Sequence, residues 1–344
     1  MTQTHLPADH PPVKKPKTGV LLLNLGTPDA TDYFSVRKYL SQFLSDKRVI
    51  DYPSWFWQPL LQGIILTSRP FRSGAAYKSI WNKDKDESPL KTYTRSQYDK
   101  IKHQFEAEYP DVVFEWGMRY GNPSTAKGID ALLEQGCRKI LFFALYPQYG
   151  SPTTATAYDH AFDHLKNINW QPAIRTAPPW HDDPGYINVL ANSISTHLEN
   201  LDYTPEVILT SFHGLPKRYL VKKGDPYHCH CQKTSRLVRE RLGWPEDKWI
   251  TTFQSRFGPE EWLQPYTDET IEKLAKDGVK RMAIVSPAFV SECIETLEEI
   301  AMEGEEIFHE HGGEKYSYIP CLNDDEDHIK LLSSYIKREL SGWI

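Results

Sequence analysis

Eight short apolar runs punctuate the chain, each followed by a stretch with helical spacing. In the first half they fall at 20–25, 112–116, 140–145 and 173–177, and in the second at 207–212, 249–253, 282–285 and 316–319. Near-continuous apolar strands separated by helices predict parallel sheets covered on both faces. Four runs per half suggest a duplication. A local echo supports it: E-Q-G-C-R-K-I at 134–140 resembles K-D-G-V-K-R-M at 276–282, and Pro147 and Pro287 each close the strand that follows. The pattern divides the chain into a tail at 1–17, one domain at 18–177 and a second at 178–344, with a stiff break at Pro178-Pro179. A long insertion at 27–110 separates the first two strands, and such insertions usually cover an active site.

The stretch 286–308 follows the strand at 282–285 and reads as a helix entered from a strand tip. At ~100° per residue, Glu295, Glu299, Glu303 and Glu306 share one side, while Ile294, Leu297, Ile300, Ala301, Ile307 and Phe308 cover the other. One reading is a solvated helix face. Acids four apart repel, however, and solvated helices normally relieve this with lysines. No Lys or Arg occurs between Arg281 and Lys315. The alternative is a path for protons or cations.

Composition narrows the class. The 344 residues, 40% hydrophobic and 25% charged, describe a globular chain long enough for two domains. A net charge of −6 gives no reason to expect nucleic acid. Five cysteines, an odd number, argue against a disulfide framework. The segment 1–17 holds four prolines and almost no apolar side chains, so a disordered tail and a cytoplasmic location are expected. Residues 55–66, from Trp55 to Leu66, are apolar but too short to span a bilayer. They read either as a buried core helix or as a lip resting on the inner membrane face, with Arg69, Arg72 and Lys78 behind it. Neither a glycine-rich dinucleotide fingerprint nor a phosphate-binding loop is present.

Candidate chemistry sits at strand tips. S-F-H-G-L-P at 211–216 puts His213 where doubly wound folds bind ligands, able to accept a proton or bind a metal. Glu292 and Glu295 begin the acidic stretch at another tip of the same half. Imidazole and carboxylate together suit a borderline divalent metal. Arg119 and Tyr120 end the second strand and read as an anion site or as a structural ion pair. His228-Cys229-His230-Cys231 resembles a metal motif, but in an extended segment these side chains would alternate between faces, so no metal role is expected.

Taken together, these segments resemble the ferrochelatase family from residue 17 to the last helix. The carriers are K-T-G-V-L-L-L-N-L-G-T-P at 17–28, M-R-Y-G-N-P at 118–123, L-Y-P-Q-Y-G at 145–150, S-F-H-G-L-P at 211–216, F-Q-S-R-F-G-P-E-E-W-L at 253–263 and S-P-A-F-V-S-E-C-I-E-T-L-E-E at 286–299. The resemblance implies an α/β chelatase of two flavodoxin-like, Rossmann-like domains, each a four-stranded parallel sheet flanked by helices. It implies insertion of ferrous iron, a substrate, into protoporphyrin IX to give protohaem with release of two pyrrole protons. Carried over by motif, His213 and Glu295 would be the catalytic and metal-binding pair. Glu292, Glu299 and Glu303 would serve a proton or metal path, with the last two continuing inward. Leu25, Tyr77, Arg119, Tyr120 and Trp262 would line the porphyrin cleft. Cys293 stands where many members have His, which leaves a metal-relay role there in doubt. Gly150-Ser151 replaces a cluster cysteine, so neither a 2Fe–2S cluster nor another permanently bound cofactor is expected. A monomer is expected. The rival readings are a chelatase for coproporphyrin or another metal such as cobalt, and a non-catalytic haem or metal carrier. Leu25, where coproporphyrin-type relatives often carry Tyr, favours protoporphyrin.

Overall fold

The computed structural model describes residues 7–344. Residues 7–16 run exposed without regular structure, tied down where Lys15 meets Asp111 at 2.6 Å. The remainder of the expected tail, 1–6, lies outside the described residues. Lys17 already belongs to the first strand.

All eight apolar runs are strands: β1 Lys17–Gly26, β2 Val112–Tyr120, β3 Cys137–Ala144, β4 Ala173–Thr176, β5 Val207–His213, β6 Trp249–Gln254, β7 Arg281–Val285 and β8 Lys315–Ile319. They form two four-stranded parallel sheets, in the orders β2-β1-β3-β4 and β6-β5-β7-β8. The two orders are the same order repeated, as a duplication requires. In each sheet the first strand is central. Val20 of β1 pairs with Phe114 on one side and Leu141 on the other, and Leu209 of β5 with Ile250 and Ile284. A central strand has both faces covered, which explains the unbroken V-L-L-L and V-I-L runs.

The helices are α1 Tyr33–Leu44, α2 Ser54–Leu60, α3 Leu66–Ile80, α4 Pro89–Glu106, α5 Thr125–Glu134, α6 Thr156–Leu165, α7 Pro184–Glu199, α8 Lys217–Lys223, α9 Tyr227–Leu242, α10 Thr267–Lys276, α11 Ile294–Thr296, α12 Gly304–Glu310 and α13 Glu326–Glu339. The insertion is shorter than expected. Ser88 caps α4, Pro89 occupies its first turn, and α4 packs on β1 and β2 as their crossover helix. Only α1 to α3 are additional, and they form the lip.

The lobes share a core. Val20, Leu22, Leu141 and Phe143 of the first sheet and Ile208 and Val285 of the second belong to one buried cluster, together with Trp180, Tyr186 and Tyr335. The Trp180 ring lies 5.0 Å from Tyr186 and 5.6 Å from Tyr335. Thus the segment joining the lobes is irregular, exposed at Pro178 and Pro179 and anchored by the buried Trp180. The last helix, α13, packs on α4 of the first lobe. No helix among the described residues is long and apolar enough to cross a membrane.

Candidate active site

The carboxyl ends of both sheets face one cleft, at the crevice where β1 and β3, and β5 and β7, lead away in opposite directions. Its inner chamber, about 140 Å³, takes Leu25 and Thr27 from the tip of β1, Tyr146 and Gln148 from that of β3, His213 from β5, and Cys293 and Glu295 from the segment after β7. Tyr39, Phe43 and Tyr77 of the lip and Trp262 close it. An outer mouth of about 590 Å³ shares His213, Glu295, Trp262 and Phe43 with the chamber, so the two are continuous. His213 and Glu295 therefore face the same hollow, whose walls are mainly aromatic and aliphatic.

Two glycines permit this geometry. Gly26 has φ +108°, and a Cβ there would lie 1.7 Å from the Tyr120 carbonyl oxygen, so β1 can turn into the cleft only without a side chain. A Cβ on Gly214 would lie 2.8 Å from the Gln254 oxygen and 3.1 Å from the Trp262 ring. That close approach brings Trp262 against the His213 turn, and the indole N–H is fixed on the Phe257 carbonyl at 2.8 Å.

The His213 imidazole is half-buried, with Nδ1 2.7 Å from the Gly214 carbonyl oxygen. A carbonyl can only accept, so Nδ1 carries the proton and the neutral ring keeps its lone pair on Nε2. Glu295 opens α11, and its backbone oxygen accepts from the Gln254 amide at 2.6 Å.

The acidic stretch differs from the expected continuous helix. Residues 286–293 are irregular, α11 is a single turn, and Leu297–Glu303 form π turns before α12. A π bond reaches one residue further than an α bond, so carboxylates four apart remain near one line. Glu295 lines the chamber and the mouth, Glu299 the mouth and a further cavity of about 340 Å³, and Glu303 that further cavity alone. Glu303 is exposed, so the line runs outward from Glu295 to the far surface rather than inward. Glu306 is also exposed.

Glu299 accepts from the Ser255 N–H at 2.7 Å, from the Ser255 hydroxyl and from Gln254 at 3.2 Å. Ser255 takes φ +65° to aim both of its donors at this carboxylate. Burial pushes Glu299 above the usual carboxylate range, against the pull of the Ser255 hydrogen bond. Glu298, which the spacing did not single out, also lines the mouth. Burial and the charges of Glu303 and Glu299 push it up, while Arg72 on α3 pulls it back. Counter-charge for the acids thus comes from the lip, where local sequence could not show it.

Three expected residues lie elsewhere. Glu292 is buried away from the chamber, accepting from Tyr318 at 2.8 Å, from the Cys321 N–H at 2.9 Å and from Thr296. The irregular segment before α11 reverses its direction relative to Glu295, which a continuous helix would not do. Arg119 and Tyr120 meet the Asp46 carboxylate, Tyr120 at 2.9 Å, and Arg119 also donates to Thr156 at 2.6 Å. Tyr39 and Phe43 of α1 stand between Tyr120 and the chamber. The structural ion pair describes this arrangement. His228-Cys229-His230-Cys231 is helical, not extended. Cys231 is buried, while His230 stacks on His181 at 3.6 Å and accepts from the Tyr149 N–H. Among the described residues no three His, Cys, Asp or Glu side chains are grouped to hold a metal ion.

Cys293 lines the chamber, and burial pushes its thiol well above the ordinary range. In the sequence Arg69 reads only as a basic flank of the lip. It lies in the mouth with its guanidinium 4.8 Å from the Phe257 ring centroid, and it forms no ion pair among the described residues. The lip presents two faces: Trp57, Leu61 and Leu66 are buried, while Phe34, Trp55, Ile64 and Phe71 are 78%, 81%, 65% and 66% exposed.

Two lobes with matching parallel sheets, meeting over an apolar cleft with an imidazole and a file of carboxylates, define a two-domain chelatase fold. Sirohydrochlorin chelatase SirB from Bacillus subtilis subspecies spizizenii, in complex with cobalt, superposes with a TM-score of 0.53 over 94% of this chain and 95% of that one, at 10% identity. SirB from Bacillus subtilis with Fe3+ gives 0.55 over 94% and 95%, at 12% identity. Within that fold the chain belongs to the ferrochelatase family: the Ferrochelatase family model matches residues 17–340. The chain is 60% identical over 340 residues to a ferrochelatase of Allorhizobium ampelinum (99% of this chain, 98% of that protein), and 57% identical over 342 residues to one of Rhodobacter capsulatus (99% and 97%).

Proposed function

We propose that this protein inserts ferrous iron into protoporphyrin IX, releasing two pyrrole protons and giving protohaem. The observation that carries the reading is that His213 and Glu295 open onto one apolar chamber at the strand tips. A flat, largely apolar macrocycle suits walls of Leu25, Phe43, Tyr77 and Trp262, while its carboxylates suit the unpaired Arg69 at the mouth. Leu25 offers an alkyl surface to a vinyl edge and no partner to an additional propionate, which favours protoporphyrin over coproporphyrin.

Insertion needs a pyrrole nitrogen with its lone pair turned toward the metal and its proton removed. The cleft holds the ring and bends it, which lowers the entropic cost of reaching that geometry. The Nε2 lone pair of His213 accepts a proton, and the Glu295 charge stabilises the imidazolium that forms. Glu299, raised by burial, passes protons outward toward Glu303 or lets the hydrated cation in by the same file. His213 and Glu295 supply two ligand atoms, fewer than the three or four of a resident site, which suits a metal in transit.

The protein is proposed to work as a cytoplasmic monomer, without a 2Fe–2S cluster because Gly150-Ser151 stands where cluster-bearing relatives carry a cysteine. The exposed lip face supports peripheral contact with the inner membrane surface, the source of an apolar substrate. Anaerobic fluorimetry with catalytic amounts of protein, following porphyrin loss on adding Fe2+, tests the reading. Many turnovers, faster with protoporphyrin than with coproporphyrin, are expected. A single stoichiometric binding event would leave a carrier, and the reverse porphyrin preference would overturn the substrate.

A further inference from the structure

The mouth of the cleft has two edges that lack regular structure. The first is the loop 45–53 between α1 and α2, which places Val49 in the chamber wall. The second is the loop 255–262 after β6, which carries Trp262. No ladder of strand bonds fixes the distance between them. One side chain spans the gap. Arg218, on α8 just after His213, donates Nη1 to Asp51 at 2.5 Å and Nη2 to the other Asp51 oxygen. Its Nε donates to both oxygens of Glu260, at 2.9 and 3.1 Å. Asp51 belongs to the first edge and Glu260 to the second. Among the described residues no other side chain forms ion pairs with both.

We propose that Arg218 is a latch that sets the width of the mouth and so governs how fast the macrocycle enters and leaves. The guanidinium is suited to this because one planar group offers two forks in fixed geometry, which a lysine ammonium does not. The side chains of Arg218, Asp51 and Glu260 are 26%, 19% and 32% exposed, so the pairs are partly shielded from screening. Neighbouring contacts anchor the latch on α8: Lys223 also pairs with Asp51, the Tyr219 hydroxyl donates to the Val49 carbonyl at 3.0 Å, and Lys217 pairs with Glu261 at 2.8 Å. The Arg218 guanidinium lies 4.9 Å from the Tyr219 ring centroid, which fixes its plane. Because Val49 and Trp262 are chamber walls, releasing either edge widens the hollow around the bound ring. Arg218 is thus a positioning residue that never needs to touch the reacting nitrogens.

The inference rests on the cleft being the porphyrin site. The test is stopped-flow fluorescence of protoporphyrin dissociation, with steady-state turnover beside it, on full-length protein. Arg218→Met keeps the aliphatic stem and removes the donors. Glu260→Gln removes the charge from only the second contact, weakening the hold of Arg218 on that edge, and guards against a misfolded first variant. The expected result is a porphyrin off-rate and KM raised on the order of tenfold in either variant, with single-turnover insertion from preloaded porphyrin changed less than about twofold. Arg218→Lys should not restore the slow off-rate. If wild-type protein binds porphyrin but both variants release it at the wild-type rate, the latch is refuted and the cleft assignment stands. If wild-type protein binds no porphyrin, both fall. A lowered unfolding temperature with unchanged off-rate would show a merely structural ion pair.

Discussion

Replacing His213 by Ala separates chemistry from folding more cleanly than any other change at the site. The ring is half-buried, its single hydrogen bond runs to the neighbouring Gly214 carbonyl, and it forms no ion pair among the described residues. Truncation therefore strands no distant buried partner, and the space it leaves adjoins a cavity that already opens outward. The stability change should stay within about 1 kcal/mol. The chemical loss should be larger. A positioned base contributes roughly 10²–10⁴-fold, equivalent to about 3–5 kcal/mol of barrier. In anaerobic fluorimetry with Fe2+, and with Zn2+ as a second metal, kcat should fall by that factor. Porphyrin affinity should stay within about threefold, because the aromatic walls are intact. His213→Asn should be as inactive as His213→Ala, since an amide can donate to the Gly214 carbonyl but offers no basic nitrogen. Turnover within about threefold of wild type in either variant would refute the assignment of His213 as the proton acceptor.

Glu299→Gln puts an amide N–H against donors from Ser255 or Gln254. Urea denaturation should show a loss of about 1–3 kcal/mol. The KM for metal should rise and kcat fall with porphyrin affinity unchanged, and wild-type metal kinetics would remove the carboxylate file from the mechanism. His328 is fully buried, with Nδ1 2.7 Å from the Asn323 carbonyl oxygen, and burial pushes it down to about 4. The unfolded chain binds this proton more readily than the folded one. Its contribution is therefore intact above about pH 6.5 and is lost as pH falls toward 4, on the order of 2 kcal/mol by pH 5. Urea midpoints at pH 7 and pH 5 should converge in His328→Gln relative to wild type, and an equal drop in both proteins would exclude this histidine as the cause. Trp55→Ser with Ile64→Ser should abolish co-sedimentation with anionic vesicles while leaving turnover of detergent-solubilised porphyrin intact, and undiminished co-sedimentation would remove the lip from membrane contact.

The strands were legible because their cause is local. A central parallel strand is covered on both faces, so V-L-L-L and V-I-L runs announce themselves, and the repeated sheet order follows from two such sets in series. The tips of those strands were legible for the same reason, and with them the placing of His213 and Glu295 around one hollow, whereas Leu25 was placed there by the family resemblance.

What sequence spacing could not decide was direction. Arg119 and Tyr120 also end a strand, yet α1, folded in from the insertion, puts Tyr39 and Phe43 between them and the chamber. Glu292 lies three residues from Glu295, but an irregular segment rather than a helix separates their side chains, so one carboxylate is caged and the other faces the cleft. The acids at 295–303 looked uncompensated because Arg72 and Arg69 reach them or their mouth from a helix more than two hundred positions away. Periodicity determines which residues are apolar walls. Only the packing of distant segments, set by burial of the lip and of the shared core, determines which polar tips the walls leave uncovered.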